Sequence, residues 1–289
     1  MAGYGADTMR KASWIAESLS VDPMPAVELV APLALTSSEL QAVHDRAFVE
    51  AVRTGRPLTL AESQGFDWDP GMWVSVSSSN GGAVAAALAA LDDGVAGSLS
   101  SGLHHARADT GHGYCTFNGL ALAARTVLDR RPGRVLIVDL DAHCGGGTAS
   151  LVADQQRIHQ VDVAVDYFDH YAPSPGRIEL ELVRTAGDYL ETVDATLATA
   201  AQRGPWELVL YNAGMDPYEG CDVGGLRGIT EDLLADRENL VFRWAASHGW
   251  PIAFVIAGGY VGSRLSRGTL VRLHRHTLSA AAAVPAPTN

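Results

Sequence analysis

Asp139, Asp141 and His143 stand at alternating positions directly after the aliphatic run at residues 135–138. Two carboxylates and an imidazole at the end of such a run would be costly to bury unpaired, and a metal ion is one way to satisfy them. Gly145, Gly146 and Gly147 follow, and they let the backbone turn close to whatever sits there. Asp216 follows a second aliphatic run at 208–211, and Gly258-Gly259-Tyr260 follows a third at 252–256. A fourth segment supplies the doublet His104-His105. Asp141, His143 and Asp216 make a three-donor set for zinc with a position left open for water, whose pKa such a metal brings to about 7. Histidines beside that water suit a general base. A phenol set on Gly258 and Gly259 could donate a hydrogen bond to a carbonyl oxygen as it becomes an oxyanion. Taken singly, each feature has a plainer reading, because polar residues commonly end strands and a Gly-Gly pair most often makes a turn.

These groups meet only if the aliphatic runs are neighbouring strands of one sheet. Runs apolar at every position read as strands buried on both faces, as in parallel sheets, and ligands of open α/β sheets bind at the strands' carboxyl ends. Strand and helix signals alternate along the chain, which predicts a single α/β domain over 1–289: three layers, α/β/α, around a mostly parallel sheet. Helices are expected over 8–19, 37–53, 83–91, 116–128, 188–201, 231–248 and 265–278, and short strands over 27–30 and 161–165. Residues 56–73 and 169–177 read as loops, and the Ala- and Pro-rich stretch 279–289 as a frayed tail. His44, inside the second expected helix, is read as a histidine satisfied by a backbone carbonyl.

The composition narrows the class. With 21 Lys and Arg against 33 Asp and Glu, the net charge is −12, which argues against a nucleic-acid surface and mildly favours cationic or neutral small substrates. Three cysteines without a spacing motif suggest no disulfide framework. Charged residues interrupt the first twenty positions where a signal peptide would need an apolar core, and no apolar run of about 20 residues predicts a membrane span. A reducing cytoplasm is the expected compartment.

Five segments together carry a resemblance: Leu103-His104-His105-Ala106, Gly113-Tyr114-Cys115, Val138-Asp139-Leu140-Asp141-Ala142-His143, Ala213-Gly214-Met215-Asp216-Pro217 and Gly258-Gly259-Tyr260. In this order they resemble the histone deacetylase superfamily, which includes acetylpolyamine amidohydrolases and acetoin-utilisation proteins and shares its fold with arginases. The resemblance implies a zinc-dependent amidohydrolase that removes an acetyl or other short acyl group from an N-acylated amine. Acetyl-lysine, an acetylpolyamine and an N-acetylated biosynthetic intermediate all stay open as substrates, and zinc, iron and cobalt as metals. By resemblance, Asp141, His143 and Asp216 are the metal ligands, and Tyr260 polarises the scissile carbonyl. His104 and His105 flank the attacking water, and Asp139 holds His104 and helps bind a structural K+. Tyr114 and Gly113 fall on the wall of the substrate cleft, and Asp67 and Asp69 in a loop that could rim it.

The sequence also departs from the family pattern. There His143 is usually followed by a second histidine, a glycine, and Asp or Asn; here Cys144, Gly145 and Gly146 follow. The group that would orient His105 is therefore expected to be missing at Gly146. Asp166 is read as standing where the K+ shell commonly has a small hydroxyl residue. The chain begins late relative to the family, so a more open cleft, or one completed by a second copy, is expected. Two rival readings remain: a catalytically impaired binding or scaffold protein, favoured by Gly146, and an arginase-like ureohydrolase. The latter needs a further carboxylate where Gly145 stands.

Overall fold

The computed structural model describes residues 4–285, and of residues 4–9 the backbone only. The aliphatic runs form strands because their residues are apolar on both faces and each face is covered. The strands are β1 (Val95–Ser98), β2 (Val135–Asp139), β3 (Ile158–Ala164), β4 (Ile178–Leu182), β5 (Leu208–Gly214) and β6 (Ile252–Ala257). They form one six-stranded sheet in the order β1-β6-β5-β2-β3-β4, and every pair is parallel. Successive residues along a strand serve opposite layers. Leu136, Val138, Val209, Tyr211 and Phe254 join one core, and Val135, Ile137, Leu208, Leu210 and Val255 join the other.

The helices are α1 (Tyr4–Val21), α2 (Ser37–Leu40), α3 (Arg46–Thr54), α4 (Leu58–Ala61), α5 (Pro70–Asp93), α6 (Gly119–Leu128), α7 (Gly146–Val152), α8 (Ala186–Ala201), α9 (Glu231–Ser247) and α10 (Arg267–Ala282). Helices α1, α8, α9 and α10 cover the first face and α3, α5, α6 and α7 the second, so the three-layer α/β domain expected from the sequence is present.

Several local expectations are corrected. No strand forms over 27–30; the described chain is irregular between α1 and α2. The helix expected over 37–53 breaks into α2 and α3, with His44 in the connection. Its ring sits 2.8 Å from the Arg107 carbonyl through Nδ1, and its Nε2 accepts from the Asn118 amide. The loop expected over 56–73 contains α4 and the start of α5, where Asp69 caps the helix by accepting from the Gly71 amide at 2.6 Å. Asp69 is therefore a cap. Helix α5 is 24 residues long and apolar enough in length and composition to cross a membrane, contrary to the absence expected. Much of it is buried against β1, β6 and α6. Helix α10 extends to Ala282 with Ala280 and Ala281 buried, so the expected tail starts later; its residues 286–289 lie outside the described residues.

One buried cation ties the sheet ends together. Arg237 on α9 is fully buried and donates to Leu140 O at 3.1 Å, just past β2, and to Gly214 O at 2.7 Å, at the end of β5. Its charge is met by Glu238, whose Oε1 also accepts from Tyr211 Oη at 2.7 Å. Removing one partner of a buried pair strands the other. Arg237→Met is expected to cost about 3–5 kcal/mol in urea denaturation. A cost under about 1 kcal/mol would show that this network does not hold the strand ends.

Candidate active site

The chain leaves β2 towards β3 and β4 on one side, then crosses to β5 and β6 on the other, so the strand order reverses between β2 and β5. Crevices form at such reversals. Asp141 and His143 lie just beyond the carboxyl end of β2, and Asp216 lies just beyond that of β5. The structure brings the three together: their donor atoms all lie within 4.8 Å of one another, and all three residues are buried. His143 Nδ1 is 3.1 Å from Asp141 Oδ1 and 3.1 Å from Asp216 Oδ2. Nδ1 can offer only one proton between the two, and Asp216 Oδ2 is left without a hydrogen-bond partner. Burial, and then the charge of Asp141, push Asp216 up to about 6. Burial also acts on Asp141, but the neighbouring His104 and His143 hold it well below the usual carboxylate range. Converging oxygen, nitrogen and oxygen lone pairs with an orphaned carboxylate oxygen fit a divalent cation.

Next to this cluster stand the tandem histidines. His104 Nδ1 lies 2.8 Å from Asp139 Oδ2, and His104 Nε2 lies 3.6 Å from Asp141 Oδ1. Asn212 Nδ2 donates to the other Asp139 oxygen at 2.7 Å. Asn118, which caps α6, also donates to the carbonyls of His104 and Ala106, both at 3.3 Å, fixing the doublet's backbone. Burial works against a charged His104, but the Asp139 and Asp141 charges outweigh it and push the imidazole up to about 10. His105 goes the opposite way: burial, and then the charge of His104, push it down to about 3. The doublet's two rings are thus pushed in opposite directions.

The group expected to be missing beside His105 is present, and it comes from elsewhere. Asp169, on the loop after β3, places Oδ2 2.9 Å from His105 Nδ1. Asp166 is taken up in the same loop, where its carboxylate accepts from the Phe168 amide at 2.8 Å. Across β2 and β3, Asp139 pairs with Asp162. Burial and the Asp139 charge push Asp162 well above the usual carboxylate range, and its Oδ1 has no partner.

Tyr260 follows β6, and burial together with the Asp216 and Asp141 charges pushes its phenol well above the ordinary value. Gly258 comes so close to Asp216 that a Cβ there would lie 2.0 Å from Oδ1. Lys11 on α1 was not legible as a site residue. Its Nζ donates to Ala257 O at 2.7 Å and Gly258 O at 2.5 Å, and burial lowers it to about 8. A signal existed, since Lys11 shares its helix face with buried Ile15 and Leu19 at four-residue spacing.

The wall of the site is aromatic. Phe168 sets its ring edge-on to His105 and His143 at 5.0 and 5.9 Å and stacks on His112 at 5.1 Å. Gly113, at φ +51°, packs so tightly on His105 that a Cβ would sit 2.6 Å from Cδ2. Tyr114 is partly exposed, and its ring lies 5.1 Å from that of Phe66. Asp67, next to Phe66, is exposed and has no hydrogen bond to the cluster among the described residues.

The model of the histone deacetylase domain matches residues 6–275 of this chain. The chain belongs to the histone deacetylase family. It is 33% identical over 227 residues to an uncharacterised protein of Picosynechococcus sp., covering 76% of this chain and 75% of that one. It is 30% identical over 248 residues to histone deacetylase 2 of Arabidopsis thaliana, spanning 81% of this chain and 64% of that protein's length. The crystal structure of an acetylpolyamine aminohydrolase from Burkholderia pseudomallei superposes with a TM-score of 0.77 at 20% identity, covering 95% of this chain and 90% of that one. This deacetylase-family chain therefore carries the expected Asp-His-Asp cluster and tandem histidines on a family fold, with Asp169 on the loop after β3 facing His105.

Two outcomes follow for this deacetylase-family site. Gly258→Ala, which drives a methyl into Asp216, is expected to abolish stoichiometric metal uptake in equilibrium dialysis while the far-UV CD spectrum stays native. Asp216 and His143 must both lose their protons to act as ligands, and both are pushed above their ordinary values, so uptake is expected to weaken as the pH falls, by about tenfold per pH unit for each displaced proton. Uptake that is flat between pH 4.5 and 7.5, on roughly the scale of ordinary buffers, would exclude Asp216 as a ligand.

Proposed function

We propose that this protein is a zinc-dependent amidohydrolase that removes an acetyl or other short acyl group from an N-acylated amine. The observation that carries the reading is the burial of three converging donors beside a histidine pair whose Nδ1 atoms each face a carboxylate. Asp141, His143 and Asp216 would hold the metal, which when bound lowers the pKa of water and polarises the substrate carbonyl. His105, uncharged at neutral pH, takes the proton from the attacking water. His104, kept positive by Asp139, favours the negative charge that develops on the substrate oxygen. Tyr260, still a phenol at neutral pH, donates to that oxygen. His105 then returns its proton to the leaving amine, and the products are a short acid and a free amine. Asp139 would serve with Asp162 at a site for a structural K+, where the Asp162 oxygen lacks a partner.

The substrate reading is an acylated amine: an acetyl-lysine, an acetylpolyamine or an N-acetylated biosynthetic intermediate. Phe168, Tyr114 and Gly113 would flank its alkyl chain, with Asp67 further out on the rim. The negative balance of the chain suits an amine that gains positive charge on release. The three buried thiols suit a reducing cytoplasm. The scaffold reading loses its main support, because His105 does have a carboxylate partner. The ureohydrolase reading lacks the additional ligand carboxylate that Gly145 cannot supply.

The test is hydrolysis of a panel of N-acyl amines by the zinc-loaded protein and two variants. Asp141→Ala is expected to lose both metal and activity. Tyr260→Phe is expected to keep the metal and lose about 10²–10³-fold in kcat. Zinc-loaded protein that turns over no acylated amine would overturn the hydrolase reading, and metal retained by Asp141→Ala would remove Asp141 from the ligand set.

A further inference from the structure

Each tandem histidine faces a carboxylate through Nδ1, but β2 and the segment after it supply only one of the two, Asp139. At Gly146, where the family pattern has Asp or Asn, there is no side chain, and there is no room for one. A Cβ on Gly146 would lie 2.3 Å from the Asp169 carbonyl oxygen and 2.8 Å from Asp169 Oδ1. Either the 146 position carries the group, or the loop after β3 comes in and delivers it. In this chain the loop has come in.

Asp169 is built to be held there. Its Oδ2 accepts from the Gly147 amide at 3.1 Å as well as facing His105 Nδ1 at 2.9 Å. Its Oδ1 accepts from Arg107, which also reaches the Gly146 carbonyl at 3.3 Å. The Asp169 side chain is 2% exposed and that of Arg107 36%. The backbone of Asp169 is left-handed at φ +58°, a conformation uncommon outside glycine that Asp tolerates better than most residues. Phe168, the preceding residue, forms the aromatic wall against His105 and His143.

We propose that Asp169 is the positioning residue for His105. It fixes the ring and puts the proton on Nδ1, so that Nε2 keeps its lone pair for the attacking water, and it does so from the turn that also presents Phe168 to the substrate. The chemical consequence rests on the hydrolase reading above; the positioning itself does not. Because the same turn carries both groups, a change in the cleft wall at Phe168 also disturbs the base.

Two variants separate the positioning role from a merely structural one. Asp169→Gly removes the carboxylate and relieves the left-handed backbone. Asp169→Asn keeps an acceptor for His105 and the Gly147 amide, while the partly exposed Arg107 is free to swing away. The metal-free proteins, labelled with 15N-histidine, are read by NMR for the His105 Nδ1 proton, assigned by its loss in His105→Gln. The signal is expected in the wild type and in Asp169→Asn and to be absent in Asp169→Gly. In the zinc-loaded proteins Asp169→Gly is expected to lower kcat about 100-fold with KM within about threefold, and Asp169→Asn to recover to within about tenfold of wild type. Retention of both the signal and kcat in Asp169→Gly would overturn the proposal, as would Asp169→Asn behaving no better than Asp169→Gly. If the wild type hydrolyses no acylated amine, the hydrolase reading fails, and the NMR signal alone decides whether Asp169 positions His105.

Discussion

The crowding of three lone-pair donors at the reversal between β2 and β5 governs the rest of this molecule. An imidazole nitrogen sits 3.1 Å from each of two carboxylates, and all three residues are buried. Such a cluster repels itself unless a cation or protons occupy it. Everything nearby can be understood as supporting that cost. The strand order brings the donors to one crevice, glycines let the backbones approach, and buried cations pin the loops that carry them.

Those cations act through backbone carbonyls more than through the carboxylates. Arg237 joins the ends of β2 and β5 by their carbonyl oxygens, and Lys11 does the same for the segment that leads into Tyr260. The polar residues around the tandem histidines form a second web: Asn118 holds their backbone, Asp139 and Asp169 face the two rings, and Asn212 holds Asp139. The two rings lie 4.0 Å apart, centre to centre. At that distance two positive charges cannot both be kept, and the unequal carboxylate neighbourhood decides which ring carries the proton.

How much of this was legible in the sequence depended on whether a feature is local. Strands β2, β5 and β6 are apolar at nearly every position, so burial on both faces could be read directly, and with it the placement of Asp141, His143 and Asp216 at strand ends. Strands β1 and β4 were missed because they carry too little signal. Val95–Ser98 contains a glycine and a serine, and Ile178–Leu182 alternates apolar with acidic residues and lies at the sheet edge. The start of α5 is hidden because Ser77–Ser79, Asn80 and two glycines look like a turn; packing against the sheet overrides that propensity. Asp169 and Lys11 could not be placed by spacing, since each acts on a residue more than 60 positions away. Yet Asp169 was within reach of argument. In a parallel sheet the loop after β3 lies beside the loop after β2, so a carboxylate absent from one could have been sought in the other.

X-ray absorption at the zinc edge of the loaded protein tests the central claim most directly. One zinc per chain is predicted, with a first shell of nitrogen and oxygen only at about 2.0–2.2 Å, and with that shell lost when Asp216 is replaced by alanine. A sulfur shell near ~2.3 Å, or an unchanged spectrum in the alanine variant, would contradict the account.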